Sequence, residues 1–156
     1  KNDTVRFKEG IMVGYRYFDT YQIKPLFEFG FGLSYTSFEY SDLDMNPIWN
    51  EADDTFNVSF TVSNTGKRYG QEIVQLYVHQ PECSVQRPVK ELKGFEKVAL
   101  QPGESQRVTI KLTKRALQYY DIKNNGWKAD LGTFTIQIGA SSRDIRLQKN
   151  FKLEKL

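Results

Sequence analysis

Apolar and polar residues alternate along much of the chain after residue 55. From Phe56 to Val62 every second residue is apolar, and the residues between them are Asn, Ser and Thr. The same period of two recurs at residues 74–78, 108–112 and 134–138. This period is typical of β-strands that turn one face to a core and the other to water. The pattern predicts a strand at each place, with Tyr77 on the solvent face.

Turn residues separate these runs at intervals of roughly 8 to 12 residues. Among them, Asn124-Asn125-Gly126 lies between Tyr119-Tyr120 and Trp127, and its Asn-Gly step predicts a β-hairpin. About seven short strands without a helical segment indicate an all-β fold. We therefore predict an antiparallel β-sandwich.

Two stretches depart from simple alternation. Residues 145–153 are expected to pair with 134–138 as a terminal hairpin, but Lys149 falls on the apolar phase. A β-bulge near Gln148 would restore the phase. Residues 41–52 are mostly polar and are predicted to form the loop that enters the main domain.

The chain is predicted to divide into an arm, residues 1–34, and the sandwich, residues 35–156. In the arm, residues 11–15 alternate as a short strand would. A strand without a partner presents an open edge to other chains. We therefore expect residues 11–18 to be mobile or to pair with a second copy, giving weak self-association.

The segment from Pro25 to Tyr40 is the most aromatic part of the chain, with four Phe, two Tyr and two Gly in sixteen residues. Gly30 and Gly32 let another part of the protein approach the backbone closely. We expect this connector to be extended and to dock along the sandwich.

Composition and charge exclude several classes of partner. The 22 basic and 19 acidic residues are interspersed, with a net charge of +3, so no basic stripe suited to nucleic acid is present. No apolar run has the length of a membrane span. A single cysteine excludes an internal disulfide. Localisation stays open, and the first residues have neither an initiator Met nor a signal core, which suggests a cut in a longer chain.

The candidate chemical groups point away from catalysis. His79 lies on the outward phase, Cys83 lies in a loop after Pro81, and there is no second His to build a metal site. The clustered acids fall in one polar stretch and are interpreted as solvated surface rather than as a calcium site. They are Asp42, Asp44, Glu51, Asp53 and Asp54. We predict no catalytic residue, no cofactor and no metal.

Several aromatic residues are predicted to be exposed. Their rings suit either the stacking of sugar rings or a contact with another domain, and both interpretations stay open. They are Trp49, Tyr69, Tyr77, Tyr119, Tyr120 and Trp127.

Five segments carry a resemblance to a known family. They are EGIMVGYRYFD at 9–19, PLFEFGFGLSYTSFEYSDL at 25–43, and residues 64–78, 87–98 and 139–145. In this order they resemble the C-terminal region of family 3 glycoside hydrolases, the β-glucosidase-like enzymes. The resemblance implies a fibronectin type III-like, that is immunoglobulin-like, sandwich.

The resemblance also implies a function. In those enzymes the catalytic Asp lies in an upstream barrel and the acid/base in an upstream α/β layer, and neither region is in this sequence. The chain would be a non-catalytic accessory domain of an enzyme that hydrolyses β-glucosides or β-xylosides with retention. Its partners would be the barrel and α/β domains of the same chain. The alternative is a free-standing carbohydrate-binding or adhesion module.

In the parent enzyme, the arm would belong to the α/β layer. We therefore expect ten residues, most of them in the arm and connector, to contact neighbouring domains. They are Tyr15, Arg16, Tyr17, Phe18, Asp19, Phe29, Phe31, Tyr35, Arg87 and Lys90.

Overall fold

A computed structural model describes residues 5–6, 8–45 and 54–154. The described part contains one α-helix, one turn of 3-10 helix and nine strands. In chain order they are α1 (Tyr15–Thr20), β1 (Phe38–Met45), β2 (Thr55–Asn64), β3 (Gly70–His79), β4 (Glu91–Leu100), β5 (Ser105–Thr113), the 3-10 turn (Lys114–Ala116), β6 (Tyr119–Asp121), β7 (Gly126–Lys128), β8 (Gly132–Gly139) and β9 (Ile145–Leu153).

Two antiparallel sheets form the sandwich. The three-stranded sheet has the order β1-β2-β5, and the four-stranded sheet has the order β4-β3-β8-β9. The short strands β6 and β7 pair with each other alone. The predicted β-sandwich and the predicted hairpin before Trp127 are confirmed, and so is the pairing of residues 134–138 with the terminal strand.

The core lies between the two sheets and is built from the alternating apolar residues. Val58 stands opposite Ile110 and Phe60 opposite Val108 in the paired strands β2 and β5. Leu76 and Ile136, among others, fill the core from the facing sheet and are fully buried. The period of two thus places one face of each sheet in the same apolar layer.

Two predictions about strand detail are wrong. Strand β1 continues through Ser41 to Met45, where a loop was expected, and the strand is bulged between Ser41 and Asp44. Asp42 has a positive φ of 53° at this bulge. The extra residue of a bulge shifts the alternation of side chains, so the sequence pattern does not predict a continuous strand here. The strand β9 has no bulge at Gln148, because Lys149 is simply exposed on an edge strand and the irregularity lies beside Gly139.

The predicted strand at residues 11–15 is also wrong. Gly14, with φ of 56°, is the N-cap of α1, and Tyr15–Thr20 form a short helix. None of the helical segments within 5–6, 8–45 and 54–154 is long and apolar enough to cross a membrane.

Candidate interdomain interface

The arm covers the outer face of the four-stranded sheet around Tyr77. Tyr77 points away from the core, as the pattern predicts, but it is fully buried rather than solvated. The ring of Tyr15 lies edge-on to Tyr77 with 5.9 Å between centroids, and Phe29 stacks on Tyr15 at 4.9 Å. Within residues 11–18, Tyr15 thus packs against the sheet, and pairing of this stretch with a second copy stays a prediction.

Hydrogen bonds fix the arm to the sandwich at three separated points. The Leu92 N–H donates to the Tyr15 hydroxyl at 2.8 Å, and the Val89 N–H donates to the Thr20 hydroxyl at 3.0 Å. Farther along, the Ser142 N–H donates to the carbonyl of Phe29 at 2.8 Å. The arm thus satisfies backbone donors of the sandwich that would otherwise need water.

An ion pair ties the end of α1 to the loop between β8 and β9. Arg143 Nε donates to Asp19 Oδ1 at 2.7 Å, and Arg143 Nη2 donates to the carbonyls of Phe18 and Ile23. The Asp19 side chain is only 5% exposed. Burial lowers the pKa of nearby Lys90, an effect that the charge of Asp19 opposes.

The connector approaches the sheet most closely at Gly30. This residue has φ of 81°, and a Cβ there would lie 2.2 Å from the Gln75 side chain. Gln75 cannot easily retreat, because its amide donates to the carbonyl of Ala140 at 2.9 Å and its oxygen accepts from the Tyr77 hydroxyl. Both the backbone conformation and the space therefore require glycine.

A second polar cluster lies at the start of β4. Arg87 is 6% exposed and donates to Glu91 and, at 2.9 Å, to the carbonyl of Leu117. Burial alone would raise the pKa of Glu91, but hydrogen bonding and charge from Lys93, with Arg87, outweigh it and lower that pKa. This cluster joins strand β4 to the segment after β5.

The outward side of the connector is apolar. Leu26, Leu33 and Tyr35 are 91%, 91% and 92% exposed. Phe27 and Phe31 are also exposed, and their rings lie 5.1 Å apart. We call these five residues the connector patch. A cluster of large apolar residues at this level of exposure marks a contact surface.

The other exposed aromatic residues do not form one platform. Tyr120 and Trp127 pack edge to face at 5.3 Å and line an open groove of about 1190 Å³, where Arg115 lies over the Trp127 ring. Tyr77 lies beneath the arm, and Tyr69 is half exposed before β3. Trp49 falls outside the described residues.

The acidic candidates that the structure describes lie in two places. Asp54 pairs with Lys114 at 2.6 Å, while Asp42 and Asp44 are exposed on β1; Glu51 and Asp53 fall outside the described residues. Within the described ranges no three His, Cys, Asp or Glu residues are grouped to hold a metal ion.

The two other chemical candidates, His79 and Cys83, also have separate surroundings. The thiol of Cys83 donates to Asp130 Oδ2 at 3.3 Å, and burial raises its pKa. Burial lowers the pKa of His79, and its Nδ1 has no hydrogen-bond partner. This arrangement does not provide the nucleophile and base contact that covalent catalysis needs.

Comparison with known proteins places this geometry in a family. The family model for the fibronectin type III-like domain matches residues 72–142. The chain is 52% identical over 153 residues to thermostable β-glucosidase B of Acetivibrio thermocellus, covering 98% of this chain and 20% of that protein. It is 49% identical to β-glucosidase BoGH3A of Bacteroides ovatus, covering 92% of this chain and 20% of the relative.

The chain belongs to the fibronectin type III-like domains of family 3 β-glucosidases. Solved structures agree with this domain over the arm as well as the sandwich. β-Glucosidase 3B from Thermotoga neapolitana, in complex with α-D-glucose, has a TM-score of 0.85 and 40% identity over 96% of this chain and 20% of its own. The β-glucosidase from Kluyveromyces marxianus in complex with glucose has a TM-score of 0.89 and 43% identity over 96% and 18%. The chain spans about a fifth of the length of the relatives it matches.

The ten predicted contact residues have three kinds of surroundings. Tyr15, Asp19, Arg87 and Lys90 make contacts within the chain. The rings that keep an exposed surface are Tyr17, Phe18, Phe29, Phe31 and Tyr35. Arg16 is half-buried beside the groove that contains Trp127.

The prediction missed other residues of this interface. The connector patch also includes Leu26, Phe27 and Leu33. The high density of apolar residues in 25–40 could have predicted them from the sequence. Arg143 binds the arm and Gln75 lies against Gly30 of the connector, but an isolated Arg or Gln in a sequence carries no sign of its partner. Contact of the ten residues with another domain stays a prediction.

Proposed function

We propose that the chain is a non-catalytic accessory domain that packs against the catalytic domains of the same polypeptide in a family 3 glycoside hydrolase. The carrying observation is that arm and sandwich together match one continuous fifth of several β-glucosidases. The exposed connector patch supports a neighbour on the outward side of the arm. The neighbours would be the barrel and the α/β domain that hold the catalytic carboxylates.

We divide the chain at residue 35, as the sequence suggests. Thr36 donates to Asn64 Oδ1 at 2.6 Å and fills the space above Gly66 and Gly70. These contacts of Thr36 support a main domain that begins at residue 35, and residues 1–34 would be the end of the preceding α/β domain. Without neighbours, the connector patch would give weak self-association of the chain.

The parent reaction would be the hydrolysis of β-glucosides or β-xylosides with retention. Two carboxyl groups about 5 to 5.5 Å apart are needed for that mechanism. The named relatives are β-glucosidases, which supports the glucoside. The role of this domain would be to hold the catalytic domains in their native arrangement.

A domain exchange tests the proposal. The corresponding fifth of the A. thermocellus enzyme is deleted in one variant and replaced by this chain in another. We expect the exchanged enzyme to recover folding and turnover of an aryl β-glucoside relative to the deletion. We expect the 156-residue chain alone to give no turnover. An exchanged enzyme no better than the deletion, or turnover by the chain alone that a single Asp or Glu substitution removes, would refute the proposal.

A second candidate function is carbohydrate binding. The paired rings of Tyr120 and Trp127 in an open groove favour it, because such rings stack on pyranose faces. Against it, Tyr119 donates to Asp130 Oδ1 at 3.1 Å, and Arg115 already covers the Trp127 ring. We therefore rank this function below the accessory role.

A further inference from the structure

A small pocket opens between the arm and the loop that joins β8 to β9. Its volume is about 230 Å³. Four aromatic residues line it, namely Tyr15, Phe18, Phe27 and Phe29. Asp19, Glu28 and Ser142 complete its polar side, and no basic side chain of the described residues lines it. We call it the aromatic-acid pocket.

Two atoms of the residues in this pocket lack partners. Asp19 Oδ1 accepts from Arg143, but Asp19 Oδ2 is buried and has no hydrogen-bond partner. The same is true of Ser142 Oγ. The Asp19 side chain is 95% buried, since only 5% is exposed. A buried carboxylate oxygen without a donor bears the full cost of its lost hydration, and neither atom has a hydrogen-bond partner among the described residues.

Of the charged residues that the structure describes around Asp19, the acidic ones line the pocket and the basic ones do not. Glu28 lines the pocket with Asp19, and its Oε1 accepts from the Ser141 hydroxyl at 3.0 Å. Arg143 and Lys90 are the cations that face this region, yet neither lines the pocket. Arg143 lies on the Oδ1 side, and Lys90 Nζ donates to the carbonyl of Ser142. The pocket itself thus combines two carboxylates with aromatic faces.

We propose that the aromatic-acid pocket binds an arginine side chain that a neighbouring domain presents. This inference rests on the proposed accessory function and adds the chemistry of one contact. A guanidinium group is flat and carries five N–H donors, so it can stack on an aromatic ring of the wall while donating to acceptors on the polar side of the pocket. An ammonium group lacks the planar fork, which favours arginine over lysine.

The position of the pocket suits an anchor residue. The rings of Phe18, Phe27 and Phe29 are partly exposed around it. Interfaces concentrate their affinity in a desolvated pocket that a ring of other contacts shields from water, and Arg is one of the residue types enriched there. The connector patch adjoins this pocket along the chain and would supply the shielding contacts.

The test is an NMR titration of the 156-residue chain with N-acetyl-L-arginine amide. The control probe is N-acetyl-L-citrulline amide, which has the same shape without the charge. We expect saturable shifts of the amides of Asp19, Phe29 and Ser142, with a dissociation constant on the order of millimolar. Citrulline should bind about tenfold more weakly, as expected when a charge-assisted hydrogen bond becomes neutral.

Variants separate binding from folding. Ser142→Ala removes one acceptor and leaves the Asp19 to Arg143 ion pair intact, so it should weaken the arginine probe several-fold without changing the urea midpoint. Phe27→Leu keeps an apolar wall but removes a π face, and it should also weaken binding. Asp44→Asn, on an exposed position of β1, should leave binding unchanged.

Three results would overturn the inference. They are equal affinity for the two probes, shifts caused by glucose but not by arginine at the same amides, and no shift by either probe, which would mean that the pocket holds water only. These results are independent of the domain exchange. If the exchanged enzyme is functional but the NMR titration shows no amide shifts, arginine binding by the aromatic-acid pocket is refuted and the accessory role is not. If the domain exchange fails, the accessory role is refuted.

Discussion

Replacing Tyr15 by alanine should detach the arm from the sandwich. The substitution removes the hydroxyl that accepts from Leu92 N–H at 2.8 Å and two ring contacts, with Phe29 at 4.9 Å and with Tyr77 at 5.9 Å. A hydrogen bond contributes about 0.5–1.5 kcal/mol, and an aromatic pair contributes a similar amount beyond its buried area. Because water can replace the hydroxyl, we expect a loss of about 2–4 kcal/mol of docking free energy.

Urea melts measure global unfolding, and amide hydrogen exchange measures arm opening. The amides of Leu92 and Ser142 donate to arm acceptors, so their protection should fall by about 30-fold or more, since 1.4 kcal/mol corresponds to tenfold. Val58, in the central strand β2, reports on the core. The matched control is Tyr35→Ala, whose ring is 92% exposed. If Tyr15→Ala leaves the protection of both reporters unchanged, the arm is not held as described.

Three further predictions follow from local chemistry. Glu91→Gln should lower the free energy of unfolding by about 3 kcal/mol at pH 7; because the folded pKa of Glu91 is lowered, the difference from wild type should shrink as pH falls through 4.5 and below in urea melts. Gly30→Ala should cost about 1–3 kcal/mol because of the positive φ and the contact with Gln75, whereas Gly32→Ala, with open space around it, should be nearly neutral by the same melts. Calorimetry with cello-oligosaccharides should show no binding tighter than about millimolar; a micromolar constant that Trp127→Ala abolishes would favour the binding-module function.

Sequence patterns predict the sandwich well because one face of each strand is buried. The alternation from Phe56 to Val62 predicts which face of the strand is buried, since a shift of one residue would bury polar groups. The alternation at β3 also gives the direction of Tyr77 correctly. The alternation does not show whether the outer face is exposed to water or covered by another segment. In either case the Tyr77 side chain points away from the core.

The helix α1 and the bulge in β1 lie beyond such patterns. Residues 15–20 read YRYFDT, in which Arg16 is the one strong helix former, so contacts with the sheet and the positive φ of Gly14 decide the conformation. In β1, Asp42 shifts the pleat by its left-handed conformation, and the alternation breaks there. The ion pair between Asp19 and Arg143 joins residues 124 positions apart, a distance over which local patterns carry no information.

The central claim is that the connector patch contacts catalytic domains of the same polypeptide. Its most direct test is Tyr35→Ala measured twice, in the isolated chain and in the domain-exchanged A. thermocellus enzyme. Because Tyr35 is 92% exposed here, the substitution should leave the unfolding midpoint of the isolated chain unchanged. In the exchanged enzyme it should lower that midpoint, since the ring would be buried against a neighbour. An equal absence of effect in both proteins would contradict the claim.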